Sequence, residues 1–208
     1  MKPSGTSGRE IEKAASLLRA GGIVAYPTET YYGLGVDPFN EQALARLFTV
    51  KNRPSVKPVL VLVANRGQVA LLAREISLAA LRLMDIFWPG PLTLVLPARS
   101  ELSPFLTGGT GTVGVRLSPH PAALSLLQTF GAPLTATSAN RSGQDPAVTA
   151  GEVQTAFGSE LDLILDGGKT PGKKGSTLVG VSGSQVTCIR EGCISFAQVM
   201  QTAGPTAG

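Results

Sequence analysis

The residues best suited to chemistry lie between Ala25 and Pro54, where an apolar run leads into a hydroxyl-rich loop and then a basic pair. The run 23–26 predicts a short buried strand, and the loop 27–35 reads PTETYYGLG. Lys51 and Arg53 follow a predicted amphipathic helix. Two cations spaced i, i+2 can both reach one polyanion, which indicates a phosphate-bearing ligand. The alternative is a solvated helix end, because basic residues are favoured in a last helical turn.

Three further loops also place small hydroxyl, amide or glycine residues beside an apolar strand. They are 138–143, 166–168 and 175–177. Such residues let the backbone approach a ligand and offer many hydrogen bonds, although ordinary turns use the same residue types. Their recurrence beside strands predicts a shared pocket. Arg116 and Arg190, near the ends of two predicted strands, could add positive charge to it, or they could form ion pairs at the sheet rim.

Several other chemistries lack the residues that they require. The chain contains neither GxGxxG nor GxxxxGK[ST], so any nucleotide would be bound without Rossmann or P-loop machinery. The one histidine, His120, lies between two prolines, which predicts a surface turn. Cys188 and Cys193 lack metal-ligand spacing, and Glu29 is the only acidic residue of the first loop. What remains is positioning, with cations stabilising phosphates.

Length and composition indicate a globular protein with a substantial core. The 208 residues are 43% hydrophobic and 15% charged, and the net charge of +4 suits an anionic ligand or weak RNA contact. Two cysteines and no secretory signal predict a cytoplasmic protein, and no apolar run is long enough to span a membrane. We expect one domain over residues 9–200, with flexible tails at 1–8 and 201–208.

Apolar periodicity places helices and strands alternately along the chain. Helices are predicted over 11–18, 41–50, 77–87, 121–130 and 149–157, with a short one from residue 196. Strands are predicted over 23–26, 58–63, 92–96, 112–117, 133–137, 163–165, 176–181 and 186–190. This alternation predicts an α/β or α+β fold with one twisted, mixed, open sheet, and antiparallel pairing among the last three strands.

Seven sequence blocks occur in an order typical of one family. They read PTETYYGLG, KNRPSVKPVLVLV, WPGPLTLVL, GTVGVRL, TSANRSG, GGKTPGKKGSTLV and CIREG. The chain resembles the YrdC-type threonylcarbamoyl-adenylate synthases over residues 9–200. The resemblance implies a large basic cavity and the condensation of L-threonine, bicarbonate and ATP, with Mg²⁺, to threonylcarbamoyl-AMP and pyrophosphate. A separate transferase complex would then pass the threonylcarbamoyl group to tRNA.

The resemblance also implies roles for particular residues. Lys51 and Arg53 would face the triphosphate and the bicarbonate-derived group and carry the catalysis. A threonine site would consist of Thr30, Arg116 and Ser176, with Arg116 on the carboxylate because a guanidinium binds carboxylates through two N–H groups. The nucleotide would also contact Thr112, Ser138, Asn140 and Arg190. No protein side chain is expected to ligate a metal.

Two positions depart from the family pattern. Tyr31 stands where a small aliphatic residue is usual, and Ser118 follows Arg-Leu where proline is typical. Longer members carry an additional C-terminal domain, so closure over the ligand is expected to come from loops or tails here.

The same sequence features are compatible with other functions. An RNA-binding or ribosome-associated module could use the same basic cavity, although RNA binders need aromatic platforms and only 5% of these residues are aromatic. A carbamoyl-handling module of hydrogenase-maturation proteins shares the family fold. A sugar-phosphate enzyme would need clustered acidic metal ligands, which the sequence does not show.

Overall fold

The computed structural model describes residues 6–203. Its helices are α1 (Gly8–Arg19), α2 (Glu41–Lys51), α3 (Leu78–Phe87), α4 (Pro104–Thr107), α5 (Pro121–Phe130), α6 (Ala150–Phe157) and α7 (Phe196–Ala203). Its strands are β1 (Val24–Pro27), β2 (Tyr32–Gly35), β3 (Val61–Leu62), β4 (Leu92–Pro97), β5 (Thr112–Arg116), β6 (Leu134–Thr135), β7 (Thr137–Ser138), β8 (Leu163–Ile164), β9 (Thr177–Ser182) and β10 (Gln185–Arg190). The expected tails are helical at 8 and 201–203, while their outer parts, 1–5 and 204–208, lie outside the described residues.

Side-chain caps explain where the predicted helices begin. At α1 the Ser7 hydroxyl accepts the Glu10 N–H at 3.3 Å, while the Glu10 carboxylate accepts the Ser7 N–H at 2.8 Å. At α2 the Asn40 side chain accepts the Ala43 N–H at 3.0 Å. His120 caps α5 in the same way and is half-buried, which corrects the surface turn predicted there. Burial also lowers the pKa of its imidazole.

The strands form two mixed sheets, so the α/β class with mixed pairing is confirmed, although one sheet was expected. The four-stranded sheet has the order β7-β2-β1-β8, and the six-stranded sheet has the order β10-β9-β4-β5-β3-β6. Strands β9 and β10 pair antiparallel, as predicted, whereas β4 pairs parallel with β9. Strand β5, which ends at Arg116, therefore lies in the interior of the larger sheet.

The two sheets meet at a short backbone joint, residues 134–138. The sequence predicted one strand over 133–137, but β6 pairs in the larger sheet and β7 in the smaller one, with only Ala136 between them. The Ala136 N–H donates to Leu60 O at 2.9 Å. The side-chain oxygen of Thr135 accepts the Val36 N–H at 2.9 Å, and its backbone carbonyl accepts the Tyr26 hydroxyl at 2.7 Å. These bonds hold the two sheets edge to edge.

Part of the first predicted loop is a strand. β2 pairs antiparallel with β1, and only the turn between them remains irregular, closed by the Thr28 hydroxyl on Tyr31 O at 2.7 Å. Gly35 allows close packing at the end of β2, because a Cβ there would lie 2.7 Å from the Tyr26 ring. The polar turn is thereby set at the edge of a fully buried hairpin.

Strand β3 is shorter than the predicted run 58–63. Pro58 has no N–H for a ladder bond, and the Val59 N–H donates to Leu106 O instead, which leaves only two paired residues. Apolar residues fill a large core around both sheets and a smaller one beneath α1 and α5. Among residues 6–203, no helix has the length and apolar character that crossing a bilayer requires.

Candidate active site

A cavity of about 520 Å³ lies where residues of both sheets come together. Its wall includes residues of β2 and β7 from the smaller sheet and of β4, β5, β9 and β10 from the larger one. Seven of the nine predicted site residues line it, namely Thr30, Arg53, Thr112, Arg116, Ser138, Ser176 and Arg190. Three of the four polar loops therefore contribute to one cavity of the size that small-molecule sites have, about 300–1,000 Å³.

Arg116 is the most deeply placed charge in this wall. Only 3% of the residue is exposed. Its Nη1 donates to Glu29 Oε1 at 2.7 Å and to Thr30 Oγ1 at 3.4 Å. Its Nε is buried and has no hydrogen-bond partner among the described residues. A buried donor without an acceptor is costly, so the free guanidinium edge is suited to an acceptor that arrives with a ligand.

Glu29 is held by two partners, one on each oxygen. Oε1 accepts from Arg116, and Oε2 accepts the hydroxyl of Ser118. Ser118 is completely buried, and its Oγ accepts the N–H of His120 at 3.2 Å. The ion pair thus lies inside the protein beside the cavity, not at a sheet rim as the alternative interpretation of Arg116 supposed.

The end of β10 is bonded to the loop that carries Ser176. Arg190 Nη2 donates to Ser176 O at 3.0 Å, and the Ser176 hydroxyl bonds Thr93 Oγ1 at 2.8 Å. A Cβ at Gly192 would lie 2.2 Å from Gly175 O. Only a glycine lets the two segments lie this close, and their contact sets the position of both Ser176 and Arg190.

Both cysteines are exposed free thiols. The Cys193 N–H donates to Gly175 O at 3.0 Å, and its Sγ donates to Lys174 O at 3.2 Å. Because Lys174 and Gly175 line the cavity, Cys193 lies at its edge.

Arg53 reaches the cavity from the segment after α2. Its guanidinium donates to Pro58 O at 2.8 Å and to Lys57 O at 3.4 Å, so the group is held in a fixed orientation. Burial lowers its pKa from the ordinary value. Arg53 is therefore placed to offer positive charge to an anion in the cavity.

Lys51 differs from the sequence expectation. It is the last residue of α2, only 1% of it is exposed, and it is not part of the cavity wall. Its Nζ donates to Ser138 O at 2.5 Å and to Asn140 O at 2.6 Å. Burial, and then the charge of Arg53, lower its pKa to about 7. The Lys51 side chain thus ties the end of α2 to the loop that follows β7.

The side chain of Asn140 is likewise occupied within that loop. Its amide nitrogen donates to Arg141 O at 3.0 Å and to Gln144 O at 2.7 Å, and its Oδ1 accepts the Ser138 hydroxyl at 2.6 Å. Asn140 is not in the wall, whereas Ser138 is. The contact expected between this amide and a nucleotide would require these bonds to be exchanged.

The sequence analysis did not single out some residues of the wall, which include Thr93 and Lys174, whereas Thr28 belongs to the predicted first loop. The basic group in GGKTPGKKGSTLV was the available signal for Lys174. The loop 166–168 does not line the cavity. Gly168 O accepts the Tyr32 hydroxyl at 2.8 Å. Burial raises the pKa of that hydroxyl to about 12, so it stays protonated at neutral pH.

Within residues 6–203, no group of three or more His, Cys, Asp or Glu side chains is arranged to hold a metal ion. The fold and the cavity define a class: an α/β protein with two mixed sheets and a cleft whose arginines suit an anionic ligand.

Comparison with known proteins places the chain more narrowly. Residues 16–192 match the Sua5, YciO and YrdC family model, which is described as "Telomere recombination". This range is well over half of the 208 residues, so the chain belongs to that family.

The similar proteins differ in length. A threonylcarbamoyl-AMP synthase of Pyrococcus abyssi is 37% identical over 195 residues, which are 94% of this chain and 57% of that protein. A threonylcarbamoyl-AMP synthase of Photobacterium profundum is 39% identical over 184 residues, 88% of this chain and 98% of that protein. The crystal structure of P. abyssi Sua5 complexed with L-threonine has a TM-score of 0.91 and 37% identity, covering 95% of this chain and 58% of that one. The chain thus spans little more than half of the P. abyssi protein.

Proposed function

We propose that this protein is an L-threonylcarbamoyladenylate synthase that condenses L-threonine, bicarbonate and ATP to threonylcarbamoyl-AMP and pyrophosphate. The observation that carries the proposal is a cavity lined by Arg53, Arg190, Lys174 and the buried Arg116, whose Nε has no partner among the described residues. The site can hold a carboxylate at one place and phosphates at others. Relatives that are named for this reaction support the proposal, as does a similar structure described with L-threonine.

In this proposal, Arg116 binds the threonine carboxylate, and Thr30 and Ser176 complete the amino-acid site. Arg116 and Thr30 lie 3.4 Å apart between Nη1 and Oγ1, which places a hydroxyl next to the guanidinium. Ser176 is joined to Thr93 by a hydroxyl contact and is only 3% exposed. Such fixed donors lose little freedom when a ligand binds.

The other cationic side chains of the cavity bind the nucleotide in this proposal. Arg53 and Arg190 contact the phosphates, with Lys174 beside them, while Thr112 and Ser138 contact the rest of the nucleotide. Lys51 and Asn140 act by holding the loop that bears Ser138. Mg²⁺ would enter bound to the phosphates of ATP, since phosphate oxygens and water supply its usual ligands.

The chemistry requires positioning and charge stabilisation. The threonine amine joins the bicarbonate carbon with loss of water, and an oxygen of the resulting carbamate attacks the α-phosphorus of ATP. The bond from that phosphorus to the leaving pyrophosphate oxygen breaks, and the arginines stabilise the negative charge that develops there. The product would serve a separate transferase that modifies tRNA, in the cytoplasm, where free thiols such as Cys188 and Cys193 persist.

The RNA-binding alternative gains no specific support. The two aromatic side chains in the cavity wall are Tyr31 and Tyr32, and Tyr32 is completely buried. A base-stacking surface needs exposed rings on a groove, and no third aromatic side chain of the described residues lines this cavity.

Pyrophosphate release tests the proposal directly. With ATP and Mg²⁺ present, release should require both L-threonine and bicarbonate. Arg53→Ala should lower kcat/KM by about tenfold to a thousandfold, because phosphate charge would lose a fixed cation. Arg66→Ala is the matched control, since Arg66 pairs with Asp85 on the surface and should leave kcat/KM within about twofold. Equal release without threonine would overturn the proposed function.

A further inference from the structure

We propose that Ser118 is a positioning residue that keeps Arg116 available for the carboxylate of the amino-acid substrate. The inference rests on the proposed function and extends it to a residue outside the cavity wall. It starts from the ion pair beside the cavity. Glu29 and Arg116 share one short bond, from Nη1 to Oε1 at 2.7 Å, although a carboxylate and a guanidinium bind most strongly through two parallel bonds.

The second oxygen of Glu29 is engaged by Ser118. The Ser118 hydroxyl donates to Oε2. Its own oxygen accepts the His120 N–H at 3.2 Å, which fixes the direction in which the hydroxyl can donate. The serine is 0% exposed, so water does not compete for this bond.

The guanidinium of Arg116 is therefore fixed by Glu29, while part of its hydrogen-bonding capacity stays unused. Nη1 is used by Glu29, and Nε remains buried without an acceptor. If Ser118 lost its hydroxyl, Glu29 Oε2 would lack this donor in a site where only 13% of its side chain is exposed. The carboxylate would then turn towards a second guanidinium N–H and compete with an incoming substrate carboxylate for the same donors.

The experiment compares Ser118→Ala with Ser118→Thr, which restores a hydroxyl at the same Cβ. Calorimetry measures the Kd of L-threonine and, separately, of L-threoninamide, in which the carboxylate is replaced by a neutral amide. Ser118→Ala should raise the Kd of L-threonine about tenfold, change that of L-threoninamide less than about twofold, and leave the Kd of a non-hydrolysable ATP analogue unchanged. Ser118→Thr should recover most of the L-threonine affinity.

Two controls separate this mechanism from loss of packing. Thr107→Val removes another buried hydroxyl, in α4 and away from the cavity wall, and should leave all three affinities as in the original protein. In a Glu29→Gln background, Ser118→Ala should add much less than its tenfold effect, because the serine would act through the carboxylate.

Each outcome decides one question. If the original protein binds no L-threonine, the proposed function fails. If it binds L-threonine and Ser118→Ala binds it equally well, the positioning role fails while the function stands. Equal weakening of L-threonine and L-threoninamide would also overturn the positioning role, because that result would show a general loss of structure.

Discussion

A guanidinium that binds a carboxylate side-on presents two N–H groups in one plane, and lysine cannot reproduce that fork. Arg116→Lys should therefore raise the threonine KM by about tenfold or more while ATP affinity stays within a few-fold. Melting temperature and threonine KM, measured on one preparation, provide the check. A normal KM with a lowered melting temperature would make Arg116 only the partner of Glu29.

At Lys51 the structure gives a prediction about pH. The folded pKa of about 7 lies below the ordinary 10.5, so between these values the unfolded chain binds more protons than the native one. Stability contributed at this position should therefore rise as pH increases from 7 towards 10.5, by at most about 1.4 kcal/mol per pH unit. A neutral amine can still donate to the carbonyls of Ser138 and Asn140, so the loop contact persists.

The measurement compares unfolding free energies of the original protein and Lys51→Met at pH 6, 8 and 10. The variant removes the lysine donor from the carbonyls of Ser138 and Asn140, of which Ser138 O keeps the Asn140 N–H, and should be less stable at pH 8 and above, by about 1–3 kcal/mol. Its deficit should grow with pH, and other titrating groups cancel because both proteins contain them. Parallel stability curves would show that Lys51 titrates normally. A solvated helix end would have shown almost no loss at any pH.

At the residue scale, the sequence predicted donors better than it predicted their partners. The residue types in GTVGVRL and TSANRSG predicted a role for Arg116 and Ser138, and both residues line the cavity. Nothing in the sequence pairs Arg116 with Glu29, because their 87-residue separation is closed only by tertiary folding. Residue types alone also could not predict that the Asn140 amide is already hydrogen-bonded to Ser138, Arg141 and Gln144.

Among the elements, the end of β10 depends on one glycine. Gly192→Ala would place a Cβ 2.2 Å from Gly175 O, so β10 or the loop before β9 must move. We expect a loss of about 1–3 kcal/mol in stability and lower kcat/KM, since Ser176 and Arg190 would be displaced together. Gly151→Ala in α6 is the matched control.

In that control, the nearest atom to the added Cβ is 4.0 Å away, and alanine favours a helix. Thermal melting and pyrophosphate release on both variants check the prediction. If Gly192→Ala matches the control in both measurements, the contact between β10 and the loop is not needed for the site.

The boundaries of helices and strands were predictable where a nearby residue such as a helix cap sets them, and unpredictable where pairing with a distant strand sets them. The long helices agree with the sequence because caps such as Ser7, Asn40 and Ser77 act within one turn. The hairpin β1–β2 was missed because two of the four residues of its second strand are glycines, which are depleted in strands and common in turns. The split of 133–137 was missed because a run of residues does not reveal which sheet each will join.

For the whole molecule, the joint at 134–138 predicts how the protein opens. Strands β6 and β7 belong to different sheets. Thr135 is hydrogen-bonded to Val36, which follows β2 of the smaller sheet, and Ala136 to Leu60, which precedes β3 of the larger sheet. The two sheets cannot separate from each other without breaking the hydrogen bonds of this segment. Native-state hydrogen exchange should therefore give the amides of Thr135 and Ala136 the same free energy of opening as global unfolding.

NMR-detected exchange at several low denaturant concentrations makes the comparison, with Val115 in the interior of the larger sheet as the reference for global opening. A lower opening free energy at Thr135 or Ala136 than at Val115 would show that the sheets separate in a partial step.

The mixed α/β class itself was predictable, because alternating periodicity is a property of the whole chain.

The thiol of Cys193 gives the molecule a natural attachment point for a spectroscopic label. It is exposed, and its bonds to Lys174 and Gly175 place it at the rim of the cavity. Cys188 is the other cysteine, so Cys188→Ser leaves a single thiol for maleimide chemistry. A fluorophore there would change its emission when a ligand fills the adjacent space, and occupancy could be followed in real time without coupling to the reaction.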